Sequence, residues 1–192
     1  KLLESDLVIC DGETPVCLAG VMGGVESEIT DKTTRVFLET AWFDPTTVRK
    51  QSKRLGLSTD SSYRFERHID PFMQQFASDY ACSLLQEICG ATVLSGQVEN
   101  LADEHPRHKR EVTLRHARIA RVLGTIVEPS KVKALLSGIG LDLTQDQEGV
   151  YAFAVPGFRP DLEREIDLIE EVARLVGFDQ IPYDLPRFQI EV

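Results

Sequence analysis

Asp167, Glu170 and Glu171 stand at i, i+3 and i+4 in a helical run, so their carboxylates share one face. Like charges at that spacing repel by roughly 0.2–0.5 kcal/mol per pair. Asp161 lies just upstream, in Arg159-Pro160-Asp161. A hard cation would relieve the repulsion, and so would an arginine from a partner. A solvated face neutralised by Arg174, four residues after Glu170, is the alternative. Asp161 reaches the same ion only if the chain bends toward that face.

Glu39 is the second candidate. It sits in Arg35-Val36-Phe37-Leu38-Glu39-Thr40-Ala41-Trp42-Phe43, a run whose β-branched and aromatic residues predict a strand. Alternation puts Phe37, Glu39, Ala41 and Phe43 on one side, with Val36, Leu38, Thr40 and Trp42 on the other. A carboxylate in so apolar a run is costly unless hydrogen-bonded. It either accepts a hydroxyl from a ligand or pairs with an arginine such as Arg64 or Arg67.

The break Gly23-Gly24 and the hydroxyl-rich loop Thr59-Asp60-Ser61-Ser62 could together line a small pocket, or be an ordinary turn and cap. Arg49, Lys50, Lys53 and Arg54 share a helix face, either solvated or set against phosphates. A second basic stretch holds Arg107, Lys109, Arg110, Arg115, Arg118 and Arg121 against the lone acid Glu111. His68, His105, His108 and His116 form no recognisable nucleophile or metal pattern. Cys10, Cys17, Cys82 and Cys89 lack zinc spacing and read as buried free thiols of a reducing compartment.

The elements that hold these residues follow from pattern. Leu7–Cys10 and Pro15–Val21 are predicted strands around the Asp11-Gly12 turn. Asp44-Pro45 opens a helix that Gly56 closes. Thr59–Arg67 reads as loop. Asp70-Pro71 opens a helix ending at Gly90, with Phe72, Phe76, Tyr80, Leu84 and Ile88 inward. Thr92–Leu94 is a short strand. Residues 99–112 are a boundary. Beyond it come helices over Arg115–Leu123 and Pro129–Ser137, a hairpin of Leu141–Leu143 with Tyr151–Val155, and a helix capped by Asp161. Leu162, Ile166, Ile169, Ala173 and Val176 form its inner face. The reading is an α+β chain: residues 1–104 a mixed sheet packed with helices, 105–182 a small winged-helix-like module, and 183–192 the start of a further segment.

Apolar residues make up 42% of the 192, too many for a disordered chain. No apolar run reaches the 18 or so residues of a membrane span. The net charge of −10 excludes nucleic-acid binding through bulk charge and requires any such contact to be local. The chain starts without Met just ahead of one strand-like run and stops in another, Gln189–Val192, so it reads as a piece of a longer protein.

Several of these residues together resemble a known family. Ala19-Gly20-Val21-Met22-Gly23-Gly24, Leu38-Glu39-Thr40-Ala41-Trp42-Phe43-Asp44-Pro45 and Thr59-Asp60-Ser61-Ser62-Tyr63-Arg64-Phe65-Glu66-Arg67 are similar to the editing domain of the bacterial phenylalanyl-tRNA synthetase β subunit. Gly157-Phe158-Arg159-Pro160-Asp161 and Asp167 through Arg174 are similar to the module that follows it there. The resemblance implies a cytoplasmic (αβ)₂ ligase that charges tRNA(Phe) with phenylalanine using ATP and Mg²⁺. Its charging site lies on the α subunit, so no aminoacylation residue is expected in this chain. The β domain hydrolyses mischarged Tyr-tRNA(Phe). Gly23, Glu39, Thr59 and Ser61 fall where that family lines its editing pocket. Asp161, Asp167, Glu170 and Glu171 fall where it is assigned a Mg²⁺ site, with docking against α as the rival role. The attacking water is expected to be positioned by backbone donors and the Thr59 hydroxyl, with the tRNA's terminal hydroxyl. A non-catalytic RNA-docking or α-binding piece with a vestigial pocket is the alternative. The family often has Ala at the position of Ser61 and Gly at that of His68.

Overall fold

The computed structural model describes residues 1–101 and 108–182, and within them the fold is α+β. The chain divides into two compact units, residues 1–107 and 108–192. Arg107, His105 and the segment 183–192 lie outside the described residues.

In the first unit, β1 (Val8–Asp11) and β2 (Thr14–Leu18) form an antiparallel hairpin across Gly12, whose φ of 62° suits a tight turn. The two-residue β3 (Met22–Gly23) adds to the other edge of β2, pairing Cys17 with Gly23 and Leu18 with Met22. The sheet is therefore antiparallel throughout rather than mixed. Gly24 donates its N–H to the Val16 carbonyl at 2.7 Å, and a Cβ there would stand 2.7 Å from that oxygen. The second glycine of the break thus serves close backbone approach.

Helix α1 (Pro45–Leu55) forms where the sequence puts it. The Asp44 carboxylate accepts from the Thr47 N–H at 2.7 Å, Pro45 fills the first turn, and Gly56 ends it with φ 66°. The buried Gln51 amide is satisfied on both sides: its oxygen accepts from the Leu7 N–H at 2.9 Å and its NH₂ donates to the Leu7 carbonyl at 3.1 Å. That pair ties α1 to the start of the sheet.

Five expectations change in this unit. Residues 35–43 carry no strand ladder, and Phe37 is 89% exposed. β-propensity measures fit to a pleated, half-buried surface, and this segment has no partner strand among the described residues. The supposed loop 59–67 holds α2 (Asp60–Phe65), because Thr59 and Ser62 exchange bonds in a capping box. The next helix, α3 (Gln74–Cys89), starts after the Asp70-Pro71 turn rather than at it, and its apolar stripe is not inward: Phe76 and Ile88 are 61% and 75% exposed. Thr92–Leu94 forms no strand. The cysteines are free, but Cys10 and Cys89 are exposed and Cys17 and Cys82 only half-buried.

The second unit is β4 (Glu111–Arg115), α4 (His116–Leu123), α5 (Pro129–Gly138), β5 (Asp142–Gln147), β6 (Val150–Ala154) and α6 (Glu165–Val176). The strands form one antiparallel sheet in the order β4-β6-β5. β4 is absent from the sequence reading, since basic residues flank its short alternation of buried Val112 and Leu114. Leu114, Ile119, Leu136, Phe153, Leu168 and Val172 meet in the core. Helix α6 starts at Glu165, three residues later than a cap at Asp161 implies. Its buried stripe includes Leu168 and Val172, while the predicted Ile166 is exposed.

Candidate functional site

The first unit holds an open cavity of about 450 Å³ lined by residues from four places in the chain. Cys17 and Gly23, cross-strand partners on β2 and β3, form one side. Glu39, Ala41 and Phe43 form another, so the alternation predicted for residues 37–43 survives inside the cavity although the strand does not. Thr59, Asp60, Ser61 and Phe65 come from the start and end of α2. The four residues picked out by motif, Gly23, Glu39, Thr59 and Ser61, thus line one space.

Glu39 makes no hydrogen bond or ion pair with any described residue. Arg64 instead lies 3.6 Å from Asp60, and Arg67 pairs with Glu66 at 2.6 Å and stacks over Tyr63. The internal-arginine alternative for Glu39 therefore falls away. Partial burial against the cavity wall pushes the Glu39 carboxyl above its ordinary value, although the residue keeps more than a third of its surface exposed, and burial does the same to the Cys17 thiol, which also feels the Glu39 charge.

The floor is apolar and tightly built. Phe43 and Phe65 meet at 5.0 Å between ring centroids, tilted by 58°. Gly20 lies beneath them at φ 66°, and a Cβ on it would stand 3.0 Å from both Phe43 and Val48. The Thr59 hydroxyl cannot donate to a water. It gives its hydrogen to the Val21 carbonyl at 2.6 Å and accepts from the Ser62 N–H at 3.0 Å. The Ser61 hydroxyl has no such commitment. Asp60 is the second carboxylate on the lining. Cys17, Ala41, Phe43 and Phe65 were not singled out as pocket residues. Period-2 alternation with Glu39 signals Ala41 and Phe43, but Cys17 and Phe65 depend on pairing and helix placement that the sequence does not display.

The acidic constellation of the second unit is arranged differently. Asp161 is bound by Arg159 at 2.6 Å, which holds its carboxyl below the ordinary range. Glu171, with 9% of its side chain exposed, is gripped by Arg174 at 2.6 Å and Arg159 at 3.1 Å, and these arginines lower it likewise. Burial opposes ionisation of Asp167, but the N–H groups of Arg164 and Glu163, at 2.7 and 3.0 Å, outweigh it and hold the carboxylate at the helix start. Arg174 serves Glu171, three residues before it, rather than Glu170. Among the described residues no three His, Cys, Asp or Glu side chains gather as a metal site. Asp161, Asp167, Glu170 and Glu171 therefore do not fit a bound Mg²⁺ in this arrangement. Arginines and backbone donors occupy the oxygens of Asp161, Asp167 and Glu171, and the positive charge there opposes a hard cation, while Glu170 is exposed and uncommitted.

Most of the described basic stretch is also committed, Arg121 being the exception. Lys109 pairs with Asp142, Arg110 with Glu163, and Arg115 and Arg118 with Glu165. The His116 ring nitrogen is 2.7 Å from the Val127 carbonyl, a satisfied structural contact.

Comparison with known proteins agrees with this two-part layout. Residues 1–90 match the family model of the B3/4 domain, and residues 112–178 that of the tRNA synthetase B5 domain. The chain is thus similar to two successive domain families, the second of them described as a tRNA synthetase domain. It is 48% identical over 183 residues to the phenylalanine–tRNA ligase beta subunit of Salinibacter ruber, covering 94% of this chain and 21% of that protein. It is 44% identical over 191 residues to that of Syntrophotalea carbinolica, covering 97% and 23%, and 40% identical over 184 to that of Porphyromonas gingivalis, covering 94% and 22%. The chain belongs to the phenylalanine–tRNA ligase beta-subunit family, and it spans about a fifth of the length of these relatives. No helix among the described residues is long and apolar enough to cross a membrane.

Proposed function

We propose that the first unit removes tyrosine from mischarged tRNA(Phe), within an (αβ)₂ enzyme that charges tRNA(Phe) with phenylalanine using ATP and Mg²⁺. The observation that carries this reading is the unpaired Glu39 carboxylate on the wall of a cavity large enough for an aromatic side chain. Tyrosine differs from phenylalanine by one phenolic hydroxyl. Glu39 accepts its hydrogen bond, and phenylalanine leaves the carboxylate desolvated and unpaired. A site built this way rejects the analogue lacking the group by roughly 10⁴–10⁵. Phe43 and Phe65 give the ring an apolar floor, and Gly23 leaves room beside it.

The reaction is ester hydrolysis. Water adds to the tyrosyl carbonyl, the bond to the tRNA's terminal ribose breaks, and that ribose oxygen leaves with a proton. Thr59 takes no part as a donor, since its hydrogen is engaged. The groups left to orient water are the Ser61 hydroxyl and the Asp60 carboxylate on the lining, with the tRNA's own free hydroxyl.

The test is deacylation by the assembled ligase. In Glu39→Ala, Tyr-tRNA(Phe) should survive at least tenfold longer while phenylalanine charging stays within about twofold of the parent. If the variant clears Tyr-tRNA(Phe) as fast as the parent, Glu39 is not the discriminating group.

A further inference from the structure

We infer that the outer face of α1, carrying Arg49, Lys50 and Lys53, is a docking surface for RNA phosphates. The inference rests on the reading of the chain as part of a tRNA-handling enzyme, but not on the chemistry of the cavity.

The argument starts from how the cations are spent. In the second unit most of the basic stretch that looks best suited to a polyanion is neutralised internally: Lys109, Arg110, Arg115 and Arg118 all face carboxylates of their own unit, which leaves Arg121 as the stretch's single uncommitted cation among the described residues. Lys133, Arg159, Arg164 and Arg174 are paired too. On α1 the pattern reverses. Arg54 is a structural cation, bound to Asp6 and donating to the Lys1 carbonyl at 3.3 Å. Arg49, Lys50 and Lys53 are exposed and make no hydrogen bond or ion pair with any described residue. Among the described residues, no other helix sets three uncommitted cations within five positions.

Two ordinary explanations fail for this cluster. A helix C-terminus favours cations, which accounts for Lys53 and Arg54 in the last turn. It does not reach Arg49 and Lys50, which lie a turn further in. Pairing along the helix is not possible either, since Pro45–Leu55 holds no acidic residue. Arg49 and Lys53, four apart, repel each other. The face therefore carries a concentrated positive charge on a chain whose net charge is −10.

Its position also fits. α1 begins two residues after Phe43, which lines the cavity, and its inner side packs Val48 against Gly20, another lining residue. One helix thus backs the cavity with its apolar face and offers cations on the other. An aminoacyl ester in that cavity drags a phosphodiester chain with it, and charge complementarity selects this chain as the occupant.

The test uses the assembled ligase and deacylated tRNA(Phe), with binding followed by anisotropy between 50 and about 300 mM salt. Each phosphate contact contributes about 0.7–0.9 to the slope of log K against log[salt]. Arg49→Gln/Lys50→Gln/Lys53→Gln should flatten the slope by about two to three, with the two proteins converging as salt rises. Lys109→Gln/Arg118→Gln, taken from the paired stretch, should leave the slope unchanged. Glu39→Ala should leave it unchanged too, so failure of the cavity reading and failure of this one are distinguishable. Equal slopes in the triple variant and the parent overturn the inference, as does an equal flattening by the Lys109/Arg118 control. Loss of subunit assembly in the triple variant, with the slope intact, assigns the face to a protein contact and overturns it as well. The three side chains are exposed, so the melting temperature should be unaffected and serves as the folding check.

Discussion

Thr59 gives its hydroxyl hydrogen to the Val21 carbonyl, 2.6 Å away, across 38 residues of sequence. The same oxygen caps α2 through the Ser62 N–H. One side chain thus starts a helix and ties that helix to the turn after β2, both on the cavity lining. Thr59→Val keeps the shape and loses both bonds. It should lower unfolding free energy by about 1–2 kcal/mol, the usual cost of a lost cap. Thr59→Ser should restore most of that. Chemical denaturation measures it, and an unchanged midpoint in Thr59→Val would show that the bond is not made.

Glu39 is kept at some expense to stability. Its folded-state pKa lies above the ordinary 4.5, because partial burial disfavours the charged form, and the residue's remaining exposure keeps the effect small. Below that ordinary value the carboxyl is neutral whether folded or unfolded. As pH rises through the window between the ordinary and folded values, the unfolded chain ionises more readily and stability falls. Glu39→Gln should therefore melt higher than the parent at pH 7, with the gap closing as pH drops below about 4.5. Discrimination of tyrosine should weaken over the same acidic range as the acceptor charge is lost. A Gln variant less stable than the parent at pH 7 contradicts the account.

His68 has a backbone φ of 67°, the left-handed region where a side chain is strained. A non-glycine residue in this region costs about 1–2 kcal/mol, offset in part by the greater chain entropy that glycine gives the unfolded state. His68→Gly should raise stability by up to about 1 kcal/mol, whereas His68→Val should lower it. Thermal melting of the two variants decides the sign.

The acidic helix should behave as an internal ion-pair network. Glu171 is nearly buried between Arg159 and Arg174, so removing Arg159 leaves a carboxylate with half its partners. Arg159→Ala should cost about 2 kcal/mol, in the range of a hydrogen bond to a charged group. The folded-state pKa values of Glu171 and Asp161 are depressed. Their contribution is therefore present above the ordinary carboxylate range and lost as pH falls through the lowered values. Added Mg²⁺ should leave the melting temperature unchanged. A rise on adding Mg²⁺ that Asp167→Asn abolishes would reinstate the four carboxylates as ligands.

Legibility in the sequence varied with the range of the physics involved. Local rules were readable: Asp44, Pro45 and Gly56 bound α1, and the Asp11-Gly12 turn joins β1 to β2. Alternation also placed Glu39, Ala41 and Phe43 on one side, and they share the cavity. Features that depend on distant partners were not readable. Residues 35–43 have strand composition but no neighbouring ladder, and α3 has an apolar stripe with nothing described against it. Polar chemistry misled twice, at Thr59–Ser62, where hydroxyls that suggest a loop build a helix cap, and at Lys109, Arg110, Arg115 and Arg118, where cations that suggest a polyanion are matched to carboxylates beyond residue 140.

The glycines around the cavity divide it into a fixed side and an adjustable one. A methyl group at Gly20 would press on Phe43 and Val48, and one at Gly24 would collide with the Val16 carbonyl, whereas one at Gly23 would meet nothing within 4 Å. Of these glycines, Gly23 is therefore the one from which evolution, or a protein engineer, can retune the dimensions of this chamber, one carbon at a time, while the Gly20 side stays frozen by the fold beneath it.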